Sequence, residues 1–228
     1  MSVAVRIPLS ATSTPQSSEH LGEVVETSTT EYLAQCFAPD DLRFPTMPAL
    51  GSWVTAVDEE ADHVIYGVVS HTTTLPIDAI HRARPLGLSL QELQEQQPQI
   101  FAMLRTEFRV TIVGFEPLDR RGSLLPPYQY LPPRPPQIHQ GVFRCEAGDV
   151  ARFCQQTDFL RTLLQAQGVP TDELVAAVLR QSAAVFDAVG HSSAARRQWL
   201  LGAGRALSIH LRDDYTRLKC ILSKLQVA

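Results

Sequence analysis

Six prolines fall within the sixteen residues LLPPYQYLPPRPPQIH, 124–139, and this stretch restricts the chain more than any other. Proline has no amide hydrogen and clashes with a preceding helical turn, so the segment can join neither a helix interior nor a regular ladder. It must run as an extended connector. The chain reads differently on its two sides, which makes the connector the expected domain boundary.

Ahead of it, short runs rich in β-branched and aromatic residues alternate with turn chemistry. GEVVET, EYLAQCF, GSWVTAV and HVIYGVVS read as four strands, separated by breaks such as APDDLRFPTMPALG and DEEAD. EFRVTIVGFE, 107–116, alternates as a fifth, and QGVFRC, 140–145, directly after the connector, reads as the last. Strands at this spacing predict a small barrel or sandwich. One helical interruption is expected over 89–105. There Ser89 and Glu92 form a capping box, Leu90, Leu93, Ile100, Phe101 and Leu104 recur at helical spacing, and Pro98 starts a second short helix.

After Cys145 the period becomes helical. GDVARFCQQTDFLRTLLQAQG ends at Gly168, Thr171 can cap a helix that stops at Gly190, and Ser192 or Ser193 opens the next. A last helix carries Tyr215, Leu218, Ile221, Leu222 and Leu225, with Asp213 and Asp214 as its N-terminal acids. The expected class is α+β: a flexible arm over 1–19 with a short strand at 3–8, a β domain over 20–145, and a helical domain over 146–228.

The halves also differ in charge. Residues 1–148 carry 17 acidic and 10 basic side chains, and residues 149–228 carry 7 and 10. Cys36, Cys145, Cys154 and Cys220 include no C-x₂₋₄-C pair, so reduced, buried thiols are expected rather than a zinc site. With no apolar secretory core at the N-terminus and no run of about 18 apolar residues, the expectation is a cytoplasmic protein without a membrane span.

The hydroxyl run Thr27, Ser28, Thr29 and Thr30 follows Gly22 and invites a phosphate-site reading. A phosphate loop needs converging backbone amides on glycines and a lysine for the terminal phosphates. The only lysines are Lys219 and Lys224, and no G-x-x-x-x-G-K-[ST] or G-x-G-x-x-G occurs. The run therefore reads as a barrel hairpin. No H-E-x-x-H or G-x-S-x-G is present, and His71, Asp78 and His81 read as ordinary loop residues before they read as metal ligands. Neither an enzyme nor a cofactor is expected.

These motifs resemble the HAS-barrel, the small β-barrel at the N-terminus of HerA-type DNA translocases and of ATP synthase headpiece subunits. Leu21-Gly22 with its hydroxyl-rich hairpin, Gly67-Val68-Val69, and the exit prolines Pro132, Pro133, Pro135 and Pro136 carry the likeness over about 20–145. The whole chain, with LRTEF at 104–108 and DDYTRL at 213–218, further resembles a cyanobacterial group of HAS-barrel proteins. In the translocases the barrel leads into a nucleotide-binding core; here some eighty residues of helix stand in that place. The resemblance implies no ATPase activity. It implies the barrel's own role, which is side-by-side packing and docking of protein partners, a second copy included.

Two functions follow as expectations. The first is a non-enzymatic assembly or adaptor protein whose exposed strand edges pair with a partner. The second is nucleic-acid binding through Arg196, Arg197, Arg205, Arg212, Arg217 and Lys219, which with Lys224 outnumber Asp213 and Asp214 in the last helices.

Overall fold

A computed structural model describes residues 19–37, 47–58, 62–78, 85–119, 121–190 and 192–225. The expected arm and the 3–8 strand lie outside the described residues. Six antiparallel strands close into a barrel: β1 (His20–Thr27), β2 (Glu31–Cys36), β3 (Trp53–Asp58), β4 (His63–Pro76), β5 (Leu104–Pro117) and β6 (Gly141–Arg144), in the order β1-β2-β5-β4-β3-β6. The last strand seals the sheet by pairing with β1 (His20 with Phe143) and with β3 (Thr55 with Phe143). Closure corrects one expectation, because the barrel offers no edge strand along its body.

Alternate residues of each strand point inward, the period-2 rule of a pleated strand. Leu21, Val24, Tyr32, Ala34, Val54, Ala56, Ile65, Val69, Phe108, Val110, Ile112, Phe115 and Val142 form the interior cluster. A six-stranded barrel has room for these side chains and little else.

In β4 and β5 the alternation breaks down. Ile65 to Ser70 and Val110 to Glu116 are buried without interruption. The outward residues Trp53, Tyr66, Val68 and Val113 belong to a second cluster, which contains the apolar faces of the helices. These strands are covered on both faces, which explains the unbroken runs VIYGVV and VTIVGF. The barrel and the helices thus share one hydrophobic core across their boundary.

Five helices follow: α3 (Ala147–Phe153), α4 (Phe159–Leu164), α5 (Thr171–Ala188), α6 (Ser193–His210) and α7 (Tyr215–Ser223). The central one is α5, which touches α3, α4, α6 and α7 and buries nine residues from Leu174 to Phe186. Its Ser182 hydroxyl accepts from the Trp53 indole N–H at 3.0 Å, so a buried hydrogen bond ties barrel to bundle. Gly51 lies at the same contact with φ +79°. A Cβ there would sit 2.8 Å from both Ala177 Cβ and Val178 N, so only glycine fits the conformation and the approach.

The connector is extended, as its prolines require, and it is held in place. Tyr128 exchanges two backbone hydrogen bonds with Phe115, at 2.8 and 2.9 Å. This crossing is possible because Gly114 presents no side chain; a Cβ would lie 2.3 Å from the Tyr128 carbonyl oxygen. The Gln129 amide donates to the carbonyls of Phe153 (2.6 Å) and Gln156 (3.1 Å), and its oxygen accepts from Phe159 N–H (3.0 Å).

Several local expectations are corrected. The 89–105 helical region divides into α1 (Leu90–Gln96) and α2 (Gln99–Ala102), with Pro98 at the N-cap of α2, but Leu104 already begins β5. Thr171 is the first helical residue rather than a cap, and its hydroxyl donates to the carbonyls of Ala166 and Val169. Ser192 does cap α6, accepting from Ala195 N–H, and Asp214 caps α7, accepting from Arg217 N–H. Of the four free thiols only Cys154 is fully buried, and Cys220 is exposed.

Candidate functional site

β4 and β5 are each fourteen residues long and outrun their neighbours. The last β3 residue paired with β4 is Trp53, opposite Val68, and the last β2 residue paired with β5 is Gln35, opposite Glu107. From His71 opposite Arg109 to Thr73 opposite Glu107 β4 has lost β3 while β5 still pairs with β2, and from Thr74 opposite Thr106 to Pro76 opposite Leu104 the two strands continue alone as a short ribbon. The Thr74 and Thr106 hydroxyls bond across it at 2.8 Å, and Ile77 N–H donates to the Met103 carbonyl at its tip.

The ribbon's end is apolar and open to solvent. Ile77 is 58% exposed, Met103 56% and Leu75 42%. α1 lies between the two strands in sequence, buries no residue and leaves Leu90 66% exposed. A seven-residue helix is marginal without tertiary cover. Here its capping box is complete: Ser89 Oγ accepts from Glu92 N–H, and the Glu92 carboxylate accepts from Ser89 N–H. These bonds hold the Glu92 carboxyl below its ordinary range. Phe101, buried, anchors α2 beneath. At the base of the ribbon, Thr72 Oγ1 donates to the Pro48 carbonyl at 2.9 Å, and Met47 and Leu50 near this bond are also exposed.

The hydroxyl run is the turn between β1 and β2. Thr27 pairs with Tyr32 across it, and Ser28 N–H and Oγ both donate to the Glu31 carbonyl at 2.9 Å. Thr27 Oγ1 donates to the Pro136 carbonyl at 2.7 Å, fastening the turn to the connector. Thr29 lies in the bend, and the Thr30 carbonyl accepts from Ile112 N–H. Next to it lies a groove of about 720 Å³ lined by Thr30, Glu31, Thr111, Leu131, Thr162 and Gln165, among others. Its charged lining group is the Glu31 carboxylate, held by Arg109. A phosphate entering here would meet a carboxylate where it needs a lysine.

The six basic candidates divide by direction. Arg196 pairs with Asp187 at 3.1 Å and Arg217 with Asp172 at 2.5 Å, so these two guanidiniums join neighbouring helices. Arg212 pairs with its exposed neighbour Asp213 at 3.2 Å. Arg197, Arg205 and Lys219 are exposed and make no ion pair among the described residues. Lys224 joins Glu173 at 2.5 Å. The stripe counted along the sequence is in part a set of internal helix ties.

One polar cluster was not visible in the sequence. Glu116 is fully buried on β5, yet its carboxylate accepts from Arg152 of α3 and from the Tyr66 hydroxyl at 3.0 Å. Arg152 also reaches Asp149 at 2.8 Å. Burial and the adjacent carboxylate push the Tyr66 hydroxyl far above the usual phenol range, so it stays a donor. Every oxygen of Glu116 is engaged, which makes the cluster a clamp between strand and helix.

Among the described residues no three His, Cys, Asp or Glu side chains are placed to hold a metal, and no helix is long and apolar enough to cross a membrane. Of the His71, Asp78 and His81 trio, His81 lies outside the described residues. No protein-family model matches the chain, and no curated protein is similar to it.

Proposed function

We propose that this chain is a non-enzymatic assembly or adaptor protein whose barrel, of HAS type, docks a protein partner at the ribbon formed by β4 and β5. The observation that carries the reading is the solvent-exposed group Leu75, Ile77 and Met103 at the end of the projecting ribbon. Contiguous exposed apolar surface on a water-soluble fold marks an interaction site. Closure of the barrel body moves the docking edge to the ribbon, where backbone groups beyond β2 and β3 can add a strand. Nucleic-acid binding is the weaker alternative, because Arg196 and Arg217 are already tied to carboxylates of α5.

The test is capture from native lysate by tagged protein, compared with an Ile77→Asp/Met103→Asp variant. Both side chains are exposed, so the fold should survive, which circular dichroism would check. Loss of the captured protein in the variant is the expected result. Capture that is indifferent to both substitutions would rule the ribbon out as the docking surface.

A further inference from the structure

We infer that the outer face of α6 and α7 is a docking surface for an anionic lipid bilayer, bound peripherally and without insertion of a helix. Both helices pack on α5 and on each other. α6 with its C-cap buries Ala203, Leu207 and Leu211, and α7 buries Leu218 and Ile221, in the same cluster, so each helix keeps a solvent-facing side.

That solvent-facing side carries cations and aliphatic residues together with the polar Gln198, Ser208 and His210. Along α6 it reads Arg197, Leu201, Arg205, Ile209 at intervals of four, followed by Arg212 three residues later. From Arg197 to Ile209 the ridge is about 18 Å long at the ~1.5 Å rise of a helix, and Arg212 lies past the C-cap Leu211. On α7 the exposed positions Tyr215, Lys219 and Leu222 recur at i, i+4 and i+7 along the flank of its buried side. Leu201 is 57% exposed, Ile209 70%, Tyr215 73% and Leu222 40%. Cation and apolar residue therefore alternate along both helices, and the cations facing outward are the ones not drawn into bonds between helices. The acids on this surface are Asp213, paired with Arg212, and the cap Asp214, both at the turn between the helices.

This alternation selects among anionic partners. A nucleic-acid backbone would use the cations and gain nothing from Leu201, Ile209 and Leu222. At a bilayer both kinds of side chain are used. Aliphatic groups enter the boundary of the acyl region, the long arginine and lysine stems lie along it with their charges among the phosphates, and a tyrosine sits at headgroup depth. An anionic leaflet adds attraction for each cation close to it.

The experiment is flotation of the full chain with phosphatidylcholine vesicles that contain or lack phosphatidylserine, at low and high salt. Binding to the serine-containing vesicles, absent from pure phosphatidylcholine and reduced by salt, is expected. An Arg197→Gln/Arg205→Gln variant should lower the partition about 25-fold, or about fivefold for each charge removed. Leu201→Ser/Ile209→Ser should lower it as well. All four positions are exposed, and the lipid and salt series on the unaltered protein gives a readout independent of any variant's folding. Failure of the unaltered protein to float with phosphatidylserine vesicles would overturn the inference. So would binding that the serine pair leaves unchanged, or tighter binding to a duplex DNA oligonucleotide that only the glutamine pair weakens.

Discussion

The Arg152 guanidinium meets the Glu116 carboxylate at two points, Nε to Oε1 at 3.1 Å and Nη2 to Oε2 at 2.8 Å. The carboxylate is wholly buried on a barrel strand, whereas the guanidinium reaches it from α3 and keeps 37% of its side-chain exposure. Removing Arg152 leaves a charge on β5 with only the Tyr66 hydroxyl to face it. Arg152→Met should therefore cost roughly 2–3 kcal/mol, less than the ~3–5 of a fully enclosed pair because water can reach the vacated side. Urea unfolding measures it. The double variant Glu116→Leu/Arg152→Met should recover much of the loss, since a buried pair is replaceable by well-packed apolar groups. Equal destabilisation of the single and double variants would mean that the pair does not act as a clamp.

Tyr32 offers the opposite case. It is 1% exposed inside the barrel, and its hydroxyl has no hydrogen-bond partner among the described residues. Burial pushes its ionisation well above the normal phenol range. An unmet buried hydroxyl costs about 1–3 kcal/mol. Tyr32→Phe should thus be neutral or stabilising, with the thermal midpoint unchanged or raised. A loss above about 1 kcal/mol would reveal a partner for the oxygen.

The shared core between barrel and helices makes a prediction about fragments. A 20–145 piece would bare Trp53, Tyr66, Val68 and Val113, all nearly inaccessible in the whole chain. It should bind a hydrophobic dye and self-associate, and limited proteolysis of the intact protein should spare the connector around Gln129, which three hydrogen bonds hold. A monomeric, dye-silent 20–145 fragment would show two independent domains.

Thiol chemistry should follow burial. With an aromatic disulfide reagent under native conditions, exposed Cys220 should react first and Cys154 only on unfolding. Burial pushes the Cys154 thiol up to about 12, against an ordinary 9.0. Its folded value is the higher one, so its contribution is complete below about pH 9. As pH rises toward 12 the unfolded chain ionises first, and stability falls by up to ~1.4 kcal/mol per pH unit. Cys154→Ala should flatten that alkaline decline. An unchanged slope would assign it to other groups.

Features set by neighbours in sequence were legible before the fold was known. The Ser89–Glu92 box and the 27–30 hairpin each depend on residues a few positions apart, as does the placing of Asp213 and Asp214 at the start of the last helix. Features set by distant partners were not. HTTTLP, 71–76, lacks apolar alternation, so nothing local says that β4 continues, while Leu104 lies three residues after Phe101 and mimics a helix. Arg196 and Arg217 look like surface cations until Asp187 and Asp172 are placed beside them. The candidate docking surface was hidden for a related reason. Leu75, Ile77 and Met103 have the composition of a core, and only the packing shows them facing water.

The position of β6 bears on how the chain is made. Its partners on β1 and β3 lie some 120 and 90 residues earlier, so during synthesis the sheet stays open until about residue 144 has left the ribosome. At about 5–20 residues per second, that leaves β1 and β3 with unsatisfied backbone rims for several seconds at least. The nascent chain is most vulnerable to wrong pairing in that interval. Slowing elongation before Gly141 should lower the yield of native protein more than the same delay placed after α3.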